Sequence, residues 1–296
     1  MTAVSRTAGA TTLWRARESA RPSGRRLFDD PLADAFLDWR LRWAVRLSRL
    51  PLVGAAMPWT LIDGHWAGSR GTVVARTRYI DDVLRDALRQ GAEQVVILGA
   101  GFDSRAYRIP GIDRVRVFEV DLPVTQASKR SLVLRRLGAL PPHVTLIPAD
   151  LTAPGLDAVM GGAGFRAEAV TFFICEGVTH YLSARAVDAL FAHVARAAAG
   201  SRMVFTYIHR AILDGEPAFA GAGRTLATVR GSGEPYTSGF DPVELPRYVT
   251  ERGLVLMEDV GAAEYRERYL APVGRGHEPL SEFQRAALVE RPPERR

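Results

Sequence analysis

The sequence predicts an α/β fold built on a mostly parallel sheet, and three observations carry that expectation. Short apolar runs recur at 95–98, 115–120, 144–147, 170–174, 203–208 and 254–260, each of a length suited to a buried strand. Helical stretches over about 123–138 and 183–199 lie between some of them, and strands alternating with helices form a parallel sheet covered on both faces. The first run ends in Gly99-Ala100-Gly101, a turn that lets backbone approach a ligand where open α/β sheets bind one, at the carboxyl ends of their strands.

The remaining elements follow in chain order. Residues 1–26, with Arg6, Arg15, Arg17, Arg25 and Arg26 scattered through them, read as a flexible arm. From 27 to 90 the chain reads as a helical cap or lid. Leu32, Phe36, Trp39, Trp43, Leu47 and Leu50 fall on one helical face, Asp29-Asp30-Pro31 offers a start, and Pro51 a stop. All five tryptophans lie in the first 66 residues, and some of Trp39, Trp43, Trp59 and Trp66 are expected to line an acceptor site. Residues 91–275 form the ligand-binding domain, with 211–240 as an insertion rich in Gly, Ala, Pro and Ser. Arg268-Tyr269-Leu270 is expected to pair antiparallel with the 254–260 strand and to close the sheet, leaving 276–296 as a tail.

Composition narrows the function classes. Hydrophobic residues make up 47% and charged residues 24% of 296, an ordinary globular balance with enough chain for a full core. The formal charge of +6 is almost all arginine, since Lys129 is the only lysine, and no basic stripe with interleaved stacking aromatics points to nucleic acid. The apolar runs are too short to span a bilayer, and the N-terminal segment lacks the apolar stretch of a secretory signal, so a cytoplasmic protein without a membrane partner is expected. A single cysteine, Cys175, rules out an intramolecular disulfide or a cysteine-cluster metal site; no metal is expected. The pattern says nothing about oligomeric state.

The glycine turn alone is a weak signal, because Ser104 stands where a dinucleotide fingerprint would place glycine or alanine. Asp121 strengthens it. At the end of the second strand and twenty residues past Gly101, it can accept both ribose hydroxyls of an adenosyl cofactor, whether a dinucleotide or S-adenosylmethionine. Asp150-Leu151 follows the third strand, on the side suited to an adenine edge, and Glu176 follows the fourth. Three carboxylates at one sheet edge favour a sulfonium and an amino group over a pyrophosphate. A nicotinamide-dependent dehydrogenase is disfavoured further by the absence of a Tyr-x-x-x-Lys relay.

"VARTRYIDD", "VVILGAGFDSRAYRI", "VFEVDLP", "PADL" and "ICEGVTHYL" occur in the order and approximate spacing of the leucine carboxyl methyltransferase-like family, which this chain resembles from about Leu27 to "ERYLAP". The resemblance implies a class I methyltransferase with a Rossmann-like sheet, an antiparallel last strand and S-adenosylmethionine as cofactor. It further implies that Arg76 pairs with the cofactor's methionine carboxylate, that Gly99, Gly101 and Asp103 lie under its amino-acid part, and that Asp121 takes the ribose. Asp150 with Leu151 would flank the adenine, and Glu176 would meet the methionyl amino group. His180 departs in part from the family pattern, so its role is read from position: a general base for a hydroxyl acceptor, with Tyr181 orienting the substrate. The acceptor is expected to be a carboxylate or hydroxyl of a small molecule, with transfer to carbon or nitrogen, or adenosyl binding without turnover, as alternatives.

Overall fold

The computed structural model describes residues 6–48, 68–215 and 219–293. Its centre is a seven-stranded sheet in the order β3-β2-β1-β4-β5-β7-β6. The strands are β1 (Gln94–Leu98), β2 (Arg116–Asp121), β3 (Val144–Pro148), β4 (Thr171–Cys175), β5 (Arg202–Ile208), β6 (Val255–Val260) and β7 (Gln284–Glu290). β1 to β5 run parallel, and β7 is antiparallel to both of its neighbours. Both faces are covered: Val95 and Ile97 of β1 pack in one core while Val96 and Leu98 pack in the other, and Phe172 and Phe173 of β4 divide in the same way. Side chains alternate across a strand, so burial on both faces demands the uninterrupted apolar runs seen in the sequence.

The helices used below are α1 (Arg6–Ser19), α2 (Trp39–Leu47), α3 (Ser69–Arg89), α4 (Arg105–Arg108), α5 (Pro123–Leu137), α6 (Leu156–Gly162), α7 (Ala184–Ala195) and α8 (Ala222–Gly231). α5 and α7 stand where the helical stretches were expected, within a few residues. Pro123 opens α5 at a position that needs no N–H, and the Ser183 side chain caps α7 by accepting from the Ala186 amide.

Four expectations are corrected. The first 26 residues are not simply a flexible arm, because α1 buries Leu13, Trp14 and Ala16 against the body of the protein. The single helix expected over 32–50 is broken: Asp30 caps a 3-10 turn at Ala33–Phe36, Leu37 is extended, and Asp38 caps α2 afresh. Trp39 and Trp43 are 66% and 57% exposed and are not among the described residues that line the cavity at the strand ends, while Trp59, Trp66, Leu50 and Pro51 lie outside the described residues. Finally, Arg266–Leu270 is a π-helical turn, and the strand that completes the sheet comes from the expected tail, Gln284–Glu290, inserted between β5 and β6.

Candidate functional site

The carboxyl ends of β1, β2, β3 and β4 open on one cavity of about 710 Å3. Gly99, Gly101, Asp103, Asp121, Asp150, Leu151, Glu176, Arg76, His180 and Tyr181 all line it. α1 contributes Thr11, Thr12, Trp14 and Arg15, and the expected insertion contributes Gly233 to Thr237 after α8. That segment is pinned to the turn after β4, with the Thr237 amide donating to the His180 carbonyl at 2.7 Å.

The turn after β1 is shaped by what surrounds it. Gly99 has φ +67°, and a Cβ there would stand 2.3 Å from Cγ2 of Val178, so only glycine fits. Asp121 binds the turn from below: Oδ2 accepts from the Gly101 amide at 2.6 Å, and Oδ1 from its neighbour Leu122 at 2.7 Å. A carboxylate has about four acceptor sites, so each oxygen keeps a lone pair for a hydroxyl. Asp150 is exposed and accepts from the amide and the hydroxyl of Thr152.

Glu176 sits between two guanidiniums. Its Oε1 meets Nε of Arg76 and its Oε2 meets Nη1 of Arg105, each at 2.7 Å. Burial alone would raise its pKa, but Arg105 and then Arg76 outweigh that and hold it at about 2. Arg105 also pairs with Asp103 and, at 2.8 Å, with Asp81 of α3. Asp81 binds Arg108, Arg108 approaches Asp30, and Asp30 pairs with Arg15 of α1. The chain of contacts therefore alternates in sign from α1 to Arg76, with four arginines and four carboxylates, and its inner members are almost wholly buried.

Sequence reading did not assign Arg105, Arg108, Asp81, Asp30 or Arg15 to the site. Arg105 and Asp81 stand inside quoted motifs, "GAGFDSRAYRI" and "TRYIDD", which was the available signal. It also missed Glu119 of β2, a carboxylate buried beneath the turn and paired at 2.7 Å with Lys129 of α5, whose Nζ also reaches the Ala100 carbonyl at 3.4 Å.

His180 and Tyr181 are brought together with Tyr236, ring centroids 4.4 Å apart for the first pair and 4.7 Å for His180 with Tyr236. Burial, with Arg76 nearby, lowers the His180 pKa to about 3, so its imidazole is neutral at ordinary pH. A neutral imidazole can accept a hydrogen bond from a ligand, but its basicity there is low. Among the described residues there is no group of three or more His, Cys, Asp or Glu able to hold a metal ion, and no helix is long and apolar enough to cross a membrane.

Charge decides what the cavity can accept. Five carboxylates line it, those of Asp103, Asp121, Asp150, Glu176 and Glu234, against the two guanidiniums of Arg15 and Arg76. That excess of acceptors fits a ligand with ribose hydroxyls, an amino group and a sulfonium, and disfavours a pyrophosphate.

Comparison with known proteins agrees. The family model for leucine carboxyl methyltransferase matches residues 8–195, more than half of the chain. The chain belongs to that family, whose members are S-adenosyl-L-methionine-dependent methyltransferases. The match starts within α1, earlier than the resemblance by motif. A protein of Parafrankia sp. strain EAN1pec that carries the name of an S-adenosyl-L-methionine-dependent methyltransferase is 40% identical over 204 residues, covering 68% of this chain and 62% of its own length. A Streptomyces coelicolor protein named for the same activity is 35% identical over 201 residues, 68% of each chain. In fold, a Thermobifida fusca crystal structure described as a methyltransferase superposes with a TM-score of 0.56 at 17% identity, over 93% of this chain and 96% of the other.

Proposed function

We propose that this chain transfers a methyl group from S-adenosyl-L-methionine to an oxygen, carboxylate or hydroxyl, of a small-molecule acceptor, with secondary metabolites as the natural class. The observation that carries this reading is the convergence of Asp121, Asp150 and Glu176, from three successive strand ends, on one cavity beside the Gly99–Gly101 turn. The cofactor supplies an activated methyl carbon on a good leaving group. The protein's work is then positioning and exclusion of water. Arg76 keeps guanidinium N–H groups beyond its bond to Glu176 and can hold a methionyl carboxylate, while Glu176 stays ionised beside it to receive the amino group. Asp121 takes the ribose hydroxyls and Asp150 with Leu151 flanks the adenine. α1 and the 233–237 segment wall the acceptor side. Cys175, buried and free with its thiol pKa pushed up to about 12 by burial, is compatible with a reducing, cytoplasmic setting.

Asp121→Ala tests the assignment. Losing hydrogen bonds from a charged acceptor to the ribose should weaken S-adenosylhomocysteine binding by about 1.5–3 kcal/mol, read by titration calorimetry. An unchanged dissociation constant in a folded variant rejects the role. Isotopically labelled methyl transfer into a panel of carboxylate and hydroxyl acceptors tests the reaction itself.

A further inference from the structure

Of the 39 lysines and arginines in the chain, only Lys129 of α5 is a lysine, and it is 1% exposed. Its side chain runs in beneath the turn after β1, and it is not among the described residues that line the cavity. Nζ meets Oε2 of Glu119 at 2.7 Å and the Ala100 carbonyl oxygen at 3.4 Å, and it stands 5.8 Å from the centre of the Tyr107 ring. A compact ammonium carries three donors on a flexible stem and can serve these directions at once, whereas the planar fork of a guanidinium suits a flat partner.

The Ala100 contact falls on a peptide unit that also binds Asp121. A trans peptide points its carbonyl and its amide hydrogen in opposite directions. In the Ala100–Gly101 unit the carbonyl oxygen faces Lys129 and accepts from the Asp103 amide at 2.7 Å, while the Gly101 amide donates to Oδ2 of Asp121 at 2.6 Å. An ammonium therefore holds one end of the unit and a carboxylate the other. Gly101 has φ +42°, and glycine adopts either sign of φ readily, so local sterics alone do not fix which way the unit faces. The two charges do: turned over, the unit would set its carbonyl against the Asp121 carboxylate.

We propose that Lys129 is a positioning residue for the cofactor: through the Ala100–Gly101 peptide it holds the Asp121 carboxylate in the orientation that receives the ribose hydroxyls. The proposal rests on the methyl-transfer reading above, which gives Asp121 that partner. A positive charge at the carbonyl polarises the peptide and strengthens its amide as a donor, so loss of Lys129 loosens Asp121 together with the turn. Glu119 keeps the ammonium in place beneath them.

The test is titration calorimetry of the full chain with S-adenosylhomocysteine, at a temperature where urea unfolding shows every variant folded. Lys129→Met alone would strand the buried Glu119 carboxylate, so the comparison is between Glu119→Gln and the pair Glu119→Gln with Lys129→Met, which carries no charge at either position. Adding Lys129→Met to Glu119→Gln should weaken S-adenosylhomocysteine binding about fivefold or more, the scale of a hydrogen bond from a charged group. With Asp121→Ala also present, the same step should cost less than about twofold, because the carboxylate that Lys129 positions is gone. A residue that only packs beneath the turn would lower the urea midpoint and leave the dissociation constant of the folded protein where it was. An unchanged constant, or an equal loss with and without Asp121, overturns the proposal alone. Failure of the parent to bind S-adenosylhomocysteine overturns the methyl-transfer reading, and the proposal with it.

Discussion

Arg105→Met is expected to destabilise the protein by about 3–5 kcal/mol, the scale for removing one partner from a buried ionic cluster. The side chain of Arg105 is 1% exposed and is the shared partner of Asp81, Asp103 and Glu176. Methionine fills much of the same space but leaves Asp81 to Arg108, Glu176 to Arg76 and Asp103 without its ion-pair partner. Urea unfolding reads the loss, and a change below about 1 kcal/mol would show that the cluster is far better solvated than its burial implies. The acid limb gives a second readout. In the parent, Glu176 titrates at about 2, below its ordinary value of 4.5, so its contribution to stability is complete above 4.5 and fades as pH falls toward 2. Removing Arg105 takes away the strongest of the attractions opposing burial, so the Glu176 pKa rises toward 4.5 and the stability that its titration removes on the acid limb becomes smaller.

Gly99→Ala is expected to cost about 2–4 kcal/mol, combining the strain of a left-handed backbone with an overpacked contact. The added Cβ meets Cγ2 of Val178 at 2.3 Å, and a β-branched side chain has little freedom to turn aside. Val178→Ala in the same background relieves the contact but not the backbone strain, so it should restore roughly half of the loss. Full restoration would mean that the positive φ carries no penalty. No loss in the single variant would mean that the turn does not hold the shape described, and that the cavity's floor is misassigned.

These two residues mark what can and cannot be read from one sequence. Gly99 was legible, because a strand of Val-Val-Ile-Leu running into a glycine turn announces its geometry locally. So were the inner strands β1, β2, β4 and β5, since burial on both faces writes each as an apolar run, and the half-exposed edge strands β3 and β6 keep enough apolar residues to be seen. β7 was not: "QRAALVE" mixes alanines with charges, and its place between β5 and β6 is a tertiary fact that no local pattern encodes. Arg105 stood in plain view, but a buried arginine looks like any surface arginine until its partners are known. Those partners, Asp81 and Glu176, come from 24 and 71 residues away. α1 escaped for a similar reason, its burial resting on Trp14 packing beside Val73 and Val74 of α3. Among the described residues the tryptophan that lines the cavity is Trp14, whereas Trp39 and Trp43, prominent in the amphipathic pattern, are exposed.

The central claim is that three strand-end carboxylates and a glycine turn form a site for a sulfonium-bearing adenosyl cofactor. Titration calorimetry of the unmodified chain with S-adenosylhomocysteine, and separately with NAD, addresses it most directly. The five carboxylates of the cavity favour the ligand that has an amino group and lacks a pyrophosphate. S-adenosylhomocysteine should therefore bind at one site per chain and clearly more tightly than NAD; tighter binding of NAD, or no binding of S-adenosylhomocysteine, would contradict the account.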